Sequence, residues 1–194
     1  MENKFIKTYD NVLTKDQCQH IIDKFEDSKK HWVKNEFREQ GKSFDGKGRS
    51  FHRSFTEINL NLHDDWSEYI KILYNTMGPY IKKYANNFNI TNNWPRKFGW
   101  EHIRMKKYEV NNKDEFKEHV DVMDYASAKR FLVFFLYLND NEGGLTSFRE
   151  YGINVKPETG RMLMFPPLWT HKHAGTMPIK EPKYIIGSYL HYVW

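Results

Sequence analysis

Residues 131–138 read FLVFFLYL, an uninterrupted run of aliphatic and aromatic side chains of the kind enriched in β-strands. Turn-forming residues separate this run from others of similar composition. These other runs are His102–Tyr108, Asn154–Val155, Arg161–Phe165 and Tyr184–Tyr192. The part of the chain after Trp100 is therefore predicted to be rich in strands.

The first half of the chain carries helix signals instead. Thr14 and Gln17 have the spacing of a capping box, and apolar residues follow at helical intervals, which predicts a helix near residues 15–30. A second pattern begins at Trp66 and continues to Phe88, with Asp64 or Asp65 as the expected N-cap. The Gly78-Pro79 pair is expected to end or kink this second helix.

Helices first and strands afterwards indicate an α+β protein, with a double-stranded β-helix, or jelly roll, backed by N-terminal helices on one side. The 194 residues favour one domain, with helical support over about 1–99 and the jelly roll over about 100–194.

The single Cys18 excludes an intramolecular disulfide and is expected to be buried on a helix face. With no apolar leader or membrane-length apolar run, the sequence predicts a cytoplasmic protein.

Residues 34–55 are basic, contain three Gly and show no sustained period, which predicts a solvated loop or, alternatively, a mobile cover over an active site. The formal net charge of +5 suits an anionic partner, either nucleic acid or a small dianion. For nucleic acid, Phe44, Phe51 and Phe55 in this stretch are candidate stacking groups. Because the positive charge is dispersed along the chain, nucleic acid is not the favoured partner.

His119 and Asp121 are two residues apart in a β-type stretch, so both are expected to point to one face and to share a metal ion. The segment WTHKHAG offers a third ligand, either His171 or His173. Two histidines and one carboxylate on one face leave three coordination positions open, an arrangement suited to iron(II), an oxo-acid and O2. A second His-x-Asp, at His63, precedes a helix and is interpreted as structural.

Lys183 begins a mostly apolar strand, with Ile185, Gly187 and Tyr189 on its face of the strand. A lysine directed into a barrel requires a partner, and the far carboxylate of a co-substrate would supply one. The alternative is a lysine at the exposed start of the strand.

The order of these motifs resembles that of the prolyl 4-hydroxylase-like 2-oxoglutarate and iron(II) dioxygenases, over most of the chain and most strongly over residues 102–192. The shared elements are His119-Val-Asp121, Tyr137-Leu-Asn139, Gly143-Gly-Leu-Thr146-Ser-Phe148, Phe165-Pro166, His173 and Lys183. The resemblance favours His173 over His171, because the family places its Lys or Arg ten residues after the ligand.

The resemblance implies iron(II), 2-oxoglutarate as co-substrate, O2, and ascorbate as a reductant. It implies that Lys183 binds the C5 carboxylate with Tyr137 and Thr146, and that Tyr108 lines the same pocket, although both tyrosines could equally be core residues. It also places Arg130 near the substrate, unless that residue ends its strand in solvent, and Tyr189 stands where some relatives have Trp. The sequence EVNNKDEF, residues 109–116, replaces a Gly-Gln common in the family.

The predicted function is hydroxylation of a peptidyl or free proline, or of a similar saturated carbon in a peptide or small molecule. The alternatives are a nucleic-acid demethylase or hydroxylase and a binding protein with a relic jelly roll. Metal binding with 2-oxoglutarate separates the enzymes from the relic.

Overall fold

The computed structural model describes residues 5–42 and 48–193, and at 41, 42 and 48–51 it describes the backbone alone. These residues form two α-helices and twelve strands. In chain order the elements are β1 Lys7–Tyr9, α1 Lys15–Asp27, β2 Val33–Lys42, β3 Gly48–Asn59, α2 Ser67–Asn87, β4 Phe98–Trp100, β5 Arg104–Tyr108, β6 Phe116–His119, β7 Arg130–Tyr137, β8 Thr146–Phe148, β9 Ile153–Val155, β10 Met162–Phe165, β11 His173–Gly175 and β12 Lys183–Tyr192.

The strands form one curled antiparallel sheet in the order β1-β10-β7-β12-β5-β3-β6-β11-β8-β9, with β2 added to β3 and β4 to β12. This is a jelly roll with helices on one side, so the predicted α+β fold class is confirmed. Strands also occur in the first half of the chain, where helical support was predicted. β3 pairs with β5 and, at one position, with β6, and therefore contributes from the first half to the wall of the barrel.

Alternation along β7 and β12 divides the core into two layers. Leu132, Phe134 and Leu136 join the layer beneath the helices, whereas Val133 and Tyr137 join a second layer inside the barrel. On β12 the same alternation sends Ile186 toward the helices and Ile185 inward. Since side chains two apart on a strand share a face, Lys183 and Tyr189 belong to the interior side of β12.

The first helix forms as its sequence predicts. The Thr14 hydroxyl accepts a hydrogen bond from the Gln17 backbone N–H at 3.2 Å, and the Gln17 side chain accepts one from the Thr14 N–H at 2.9 Å. Cys18 and Phe25 are buried on its inner face. The helix ends at Asp27, slightly before the predicted boundary.

The second helix has a different N-cap from the one predicted. It runs through Pro79 without ending, because its apolar face continues on both sides, with Met77 and Ile81 buried in the same core. Its N-cap is Trp66, without a side-chain cap. Asp65 lies in a short 3-10 turn and pairs instead with Lys24 at 3.1 Å. Neither described helix is long and apolar enough to cross a membrane.

The stretch predicted as a loop, residues 34–55, lies mostly in a long antiparallel hairpin of β2 and β3, with Val33 opposite Glu57 and Lys42 opposite Gly48. Apolar side chains are too few on its outer strand to give a period-two signal. Phe55 is only 2% exposed and packs in the barrel layer, so its predicted role as an exposed stacking group is wrong. Phe44 and the side chain of Phe51 lie outside the described residues.

The buried carboxylate of Asp114 fastens this hairpin to the 109–116 segment. It accepts hydrogen bonds from Lys34 Nζ at 2.8 Å, Ser54 Oγ at 2.6 Å and the Glu109 N–H at 3.0 Å. Although burial favours the neutral form, the bonds from Lys34 and Ser54 hold the pKa of Asp114 below its usual value. One side chain thus connects both hairpin strands with the segment that precedes β6.

Substituting Asp114→Ala is expected to lower the free energy of unfolding by about 2–4 kcal/mol, because it leaves three donors without their charged acceptor. Urea unfolding at neutral pH measures this loss. Asp27→Ala, at an exposed position of the helix end, is the control and should stay within about 0.5 kcal/mol of wild type.

The same contribution has a defined pH dependence. Because the pKa of Asp114 is lower in the folded state than in the unfolded chain, where it is about 3.9, the stabilisation is complete above that pH and is lost as the pH falls through the folded value. The difference between wild type and Asp114→Ala should therefore narrow in acid. A difference that stays constant from neutral pH to acid would contradict the role given to this carboxylate.

Candidate active site

Strand pairing brings three potential metal ligands together. His119 ends β6 and His173 begins β11, and the two residues are direct partners in the antiparallel register. Asp121 follows His119 by two residues, just beyond the strand. One ligand atom from each of the three lies within 4.8 Å of the others. These three residues are called here the His-Asp-His cluster.

Hydrogen bonds orient both imidazole rings of the cluster. His119 Nδ1 is 2.8 Å from the Lys117 carbonyl, and His173 Nδ1 is 3.0 Å from the His171 carbonyl. Because a carbonyl only accepts, each Nδ1 carries the proton and each Nε2 presents a lone pair. These Nε2 atoms lie 3.5 and 3.6 Å from the two oxygens of Asp121. This is the tautomer that a metal-binding histidine requires.

The charge states of the cluster also suit a cation. Burial lowers the pKa of His173 to about 4, so this ring is neutral at physiological pH. Burial would raise the pKa of Asp121, but the hydrogen bond from the Tyr189 hydroxyl acts in the opposite direction and favours the carboxylate. Asp121 Oδ2 and His173 Nε2 are buried and lack hydrogen-bond partners within the described part of the chain. A divalent metal ion fits this donor set and would satisfy both atoms.

His171 is not part of the cluster. It ends a 3-10 turn, Trp169–His171, and its Nδ1 lies 2.8 Å from the Thr170 hydroxyl. The expectation that His171 and His173 share one strand face is wrong, because the turn reorients the backbone before β11 begins. The backbone carbonyl of His171 nevertheless holds the ring of His173.

A narrow inner cavity extends from the cluster to Lys183. Its lining includes Tyr108, Thr146, His173, Lys183 and Tyr189. The side chain of Lys183 is 1% exposed, so the alternative of a lysine at an exposed strand start is wrong. Its ammonium donates to the Gly144 carbonyl, and among described residues it has no carboxylate partner. Burial, aided by the charge of Lys106, lowers the pKa of Lys183 to about 7.

Around Lys183, the polar end of this cavity is formed by side chains from four strands, β5, β7, β8 and β12. The Tyr137 hydroxyl and Thr146 Oγ1 are 2.7 Å apart, and the rings of Tyr108 and Tyr137 lie 5.2 and 5.6 Å from Lys183 Nζ. Gly144 has a left-handed φ of +62°, and a Cβ there would approach Lys183 Cδ to 2.8 Å. Glycine at this position is therefore required both by the backbone and by the lysine stem.

A wider outer cavity of about 460 Å³ opens on the other side of the cluster. Arg130 and Tyr189 line it, together with residues of the β2–β3 hairpin. Arg130 does not end its strand in solvent. It forms two 2.8 Å bonds to Glu101, donates to the Asp121 carbonyl at 3.0 Å and stacks on Tyr189, whose hydroxyl donates to Asp121 Oδ1 at 2.9 Å.

Several residues of this outer cavity were not predicted from the sequence, notably Arg53, Arg104 and Lys106. For Arg104 and Lys106, the sequence contains a signal that predicts the direction of the side chain. On β5, Arg104 and Lys106 precede Tyr108 by four and two residues, so period two places all three on the inner face. Arg53 lies in the stretch interpreted as a loop, which hid its direction.

Replacing His173 by Ala is expected to reduce the affinity for Co(II) by more than about 100-fold, since loss of a direct ligand should exceed the cost of losing an outer partner. Anaerobic titration followed by the visible spectrum of bound Co(II) measures the change. His171→Ala is the matched control and should retain binding, because the backbone carbonyl that orients His173 remains. Equal losses in both variants would show that His171 is a ligand.

Comparison with solved structures relates the fold to that of prolyl hydroxylases. The chain is similar to viral collagen prolyl hydroxylase of Paramecium bursaria Chlorella virus-1, solved with 2OG, with a TM-score of 0.65 and 17% identity over 100% of this chain and 98% of that one. It is also similar to a Trichoplax adhaerens prolyl hydroxylase in complex with a hypoxia inducible factor peptide fragment. Here the TM-score is 0.70 and the identity 13%, over 97% of this chain and 84% of that one. A Pseudomonas putida prolyl-4-hydroxylase is similar with a TM-score of 0.62 and 13% identity, over 97% of this chain and 93% of that one.

No curated protein matches the chain in sequence. The profile of the 2OG-Fe(II) oxygenase superfamily matches residues 103–191, a range that contains the whole His-Asp-His cluster and Lys183. This superfamily uses iron(II), 2-oxoglutarate and O2. The chain is therefore similar to the 2OG-Fe(II) oxygenase superfamily over residues 103–191, and this match supports a 2-oxoglutarate-dependent dioxygenase.

Proposed function

We propose that the chain hydroxylates an unactivated C–H bond of a prolyl residue in a peptide, or of free proline, with iron(II) held by His119, Asp121 and His173. One observation carries the proposal. A buried donor set with unpartnered atoms lies at one end of the inner cavity, and a buried ammonium without a carboxylate partner among described residues lies at the other. A small dicarboxylate that also binds metal would satisfy both ends.

In this proposal the side chains bind and orient, and the metal supplies the redox chemistry. Bound iron(II) enables O2 and 2-oxoglutarate to be converted, with the substrate, into succinate, CO2 and a hydroxylated product. His119 and His173 offer their Nε2 lone pairs, and Asp121 offers the oxygen that Tyr189 does not hold. The buried aromatic walls exclude water from the reaction.

Lys183 binds the C5 carboxylate of 2-oxoglutarate in this scheme. The Tyr137–Thr146 pair supplies a hydroxyl proton for the same carboxylate, and Tyr108 forms the adjoining wall. Arg130 is not assigned a direct contact with the substrate, because Glu101 occupies its guanidinium. Arg130 and Tyr189 instead form the wall of the outer cavity and position Asp121.

The substrate class rests on the fold and on the outer cavity. The similar solved proteins are prolyl hydroxylases, one of them bound to a peptide fragment. A cavity of about 460 Å³ beside the cluster has room for a prolyl ring with its neighbouring groups. Phe55 is buried and therefore gives no support to a nucleic-acid substrate.

Incubation of the iron(II) protein with 2-oxoglutarate, O2, ascorbate as reductant and a set of proline-containing peptides tests this function. A product heavier by one oxygen atom, with succinate in equal amount, is expected from wild type. Lys183→Met should raise the 2-oxoglutarate KM far more than the peptide KM. Turnover of 2-oxoglutarate without product on any peptide or on free proline would refute the prolyl substrate and leave the co-substrate assignment intact.

Binding of 2-oxoglutarate is expected to take up about one proton at pH 8. In the free protein Lys183 has a pKa of about 7 and is mostly neutral at that pH, and pairing with a dianion raises its pKa again. Calorimetry of the anaerobic Mn(II) protein in buffers of different ionisation enthalpy measures the proton count. Lys183→Arg stays charged at all pH values and should bind with no uptake, so equal uptake in that variant would refute the assignment.

A further inference from the structure

The outer cavity contains cationic side chains without acidic partners. Arg104 and Lys106 point inward from β5, and Arg53 comes from the adjacent β3. No described carboxylate lies within ion-pair distance of any of the three. These three residues are called here the basic wall. None of the three is Lys183 or a metal ligand.

Lys106 is the member of the basic wall nearest to the chemistry. It is the member that lines both the inner and the outer cavity. Nζ stands 4.6 Å from the ring of Phe55 and 5.8 Å from that of Phe116. Burial lowers the pKa of Lys106, although the negative charges of Glu57 and Asp121 act in the opposite direction. A partly desolvated ammonium between aromatic rings favours an anionic ligand.

Arg53 adds an unsatisfied donor to the same wall. Its Nε is buried without a hydrogen-bond partner among described residues, and its guanidinium lies 5.6 Å from the Phe37 ring. The acids of the cavity other than Asp121 have partners. Glu57 accepts from Asn35 at 3.2 Å, and Asp124 accepts from the Ser127 hydroxyl at 2.6 Å. A ligand carboxylate would therefore find free donors in the basic wall.

We propose that the primary substrate carries a carboxylate close to the carbon that is hydroxylated, and that Lys106, with Arg53 and Arg104, receives this carboxylate. Two sources share this chemistry: an Asp or Glu side chain next to the target residue of a peptide, and the α-carboxylate of a free amino acid. The inference rests on the proposed function, because it concerns the substrate of the same site. Beyond the proposed function, it states that a negative charge on the substrate decides which proline-containing molecules bind.

Lys106 has one other possible ligand, the co-substrate itself, because it also lines the inner cavity. The two roles differ in a measurable way. A lysine that binds 2-oxoglutarate controls co-substrate affinity in the absence of substrate. A lysine that binds the substrate carboxylate leaves that affinity nearly unchanged and controls only the second binding event.

The test measures binding without turnover, on anaerobic Mn(II) protein saturated with 2-oxoglutarate. The peptide arm compares a proline-containing peptide bearing Glu beside proline with its Gln counterpart, and the amino-acid arm compares proline with prolinamide. Wild type should prefer the carboxylate ligand by about tenfold or more in one arm, which identifies the source. Lys106→Met should remove this preference, and Lys106→Glu should favour a Lys-bearing peptide. Lys156→Met, at an exposed position away from the cavity, should behave as wild type.

Three results would overturn the inference while the proposed function stands, since 2-oxoglutarate binding is recorded separately on every sample. These are equal affinity for charged and neutral ligands in both arms, a tenfold loss of 2-oxoglutarate affinity in Lys106→Met, and tighter binding of a single-stranded oligonucleotide than of either carboxylate ligand. Failure of wild type to bind 2-oxoglutarate would refute the proposed function itself.

Discussion

The pairing of β6 with β11 is the constraint on which the site depends, because it sets His119 directly opposite His173. Each ring is then fixed by a backbone carbonyl close to it in sequence, from Lys117 or His171. The turn after β6 needs to carry Asp121 only two residues further to complete the cluster. The rest of the barrel supports this arrangement by burying it and by directing β12 along one wall.

Buried charge without internal compensation explains what the two cavities can bind. The cluster contains one carboxylate and two rings whose Nε2 atoms face it, so it attracts a cation. The inner cavity ends in an ammonium whose pKa burial has lowered to about 7, so it attracts an anion. Both groups are costly in the folded protein when alone. Buried groups of this kind are found at functional sites, where a bound ligand neutralises their charge.

The sequence predicted that His119, Asp121 and His173 lie together, because the signals of the residues in the proposed site are local and ordered. His119 and Asp121 differ by two positions, Lys183 begins an apolar strand, and both features depend only on strand periodicity. The choice of His173 over His171 came from a family interval and not from periodicity, which treated the two alike. The 3-10 turn that separates them has no clear signature in WTHKHAG.

What the sequence could not predict depends on distant contacts. The β2–β3 hairpin has polar residues on most positions of its outer strand, and it is stabilised from elsewhere by Asp114, which lies in the 109–116 segment. Pro79 is tolerated within α2 because burial on both sides outweighs one lost hydrogen bond. In the sequence Arg130 looks like a solvent-exposed residue at the start of a strand. In the structure it forms an ion pair with Glu101, which is distant in sequence.

The central claim is that one iron(II) ion and one 2-oxoglutarate molecule meet between the His-Asp-His cluster and Lys183. Anaerobic addition of 2-oxoglutarate to the iron(II) protein, followed in the visible spectrum, tests this claim most directly. The account predicts a weak charge-transfer band of the iron chelate that saturates at one 2-oxoglutarate per chain and is lost in Asp121→Ala. Absence of the band in wild type, or its persistence in that variant, would contradict the account.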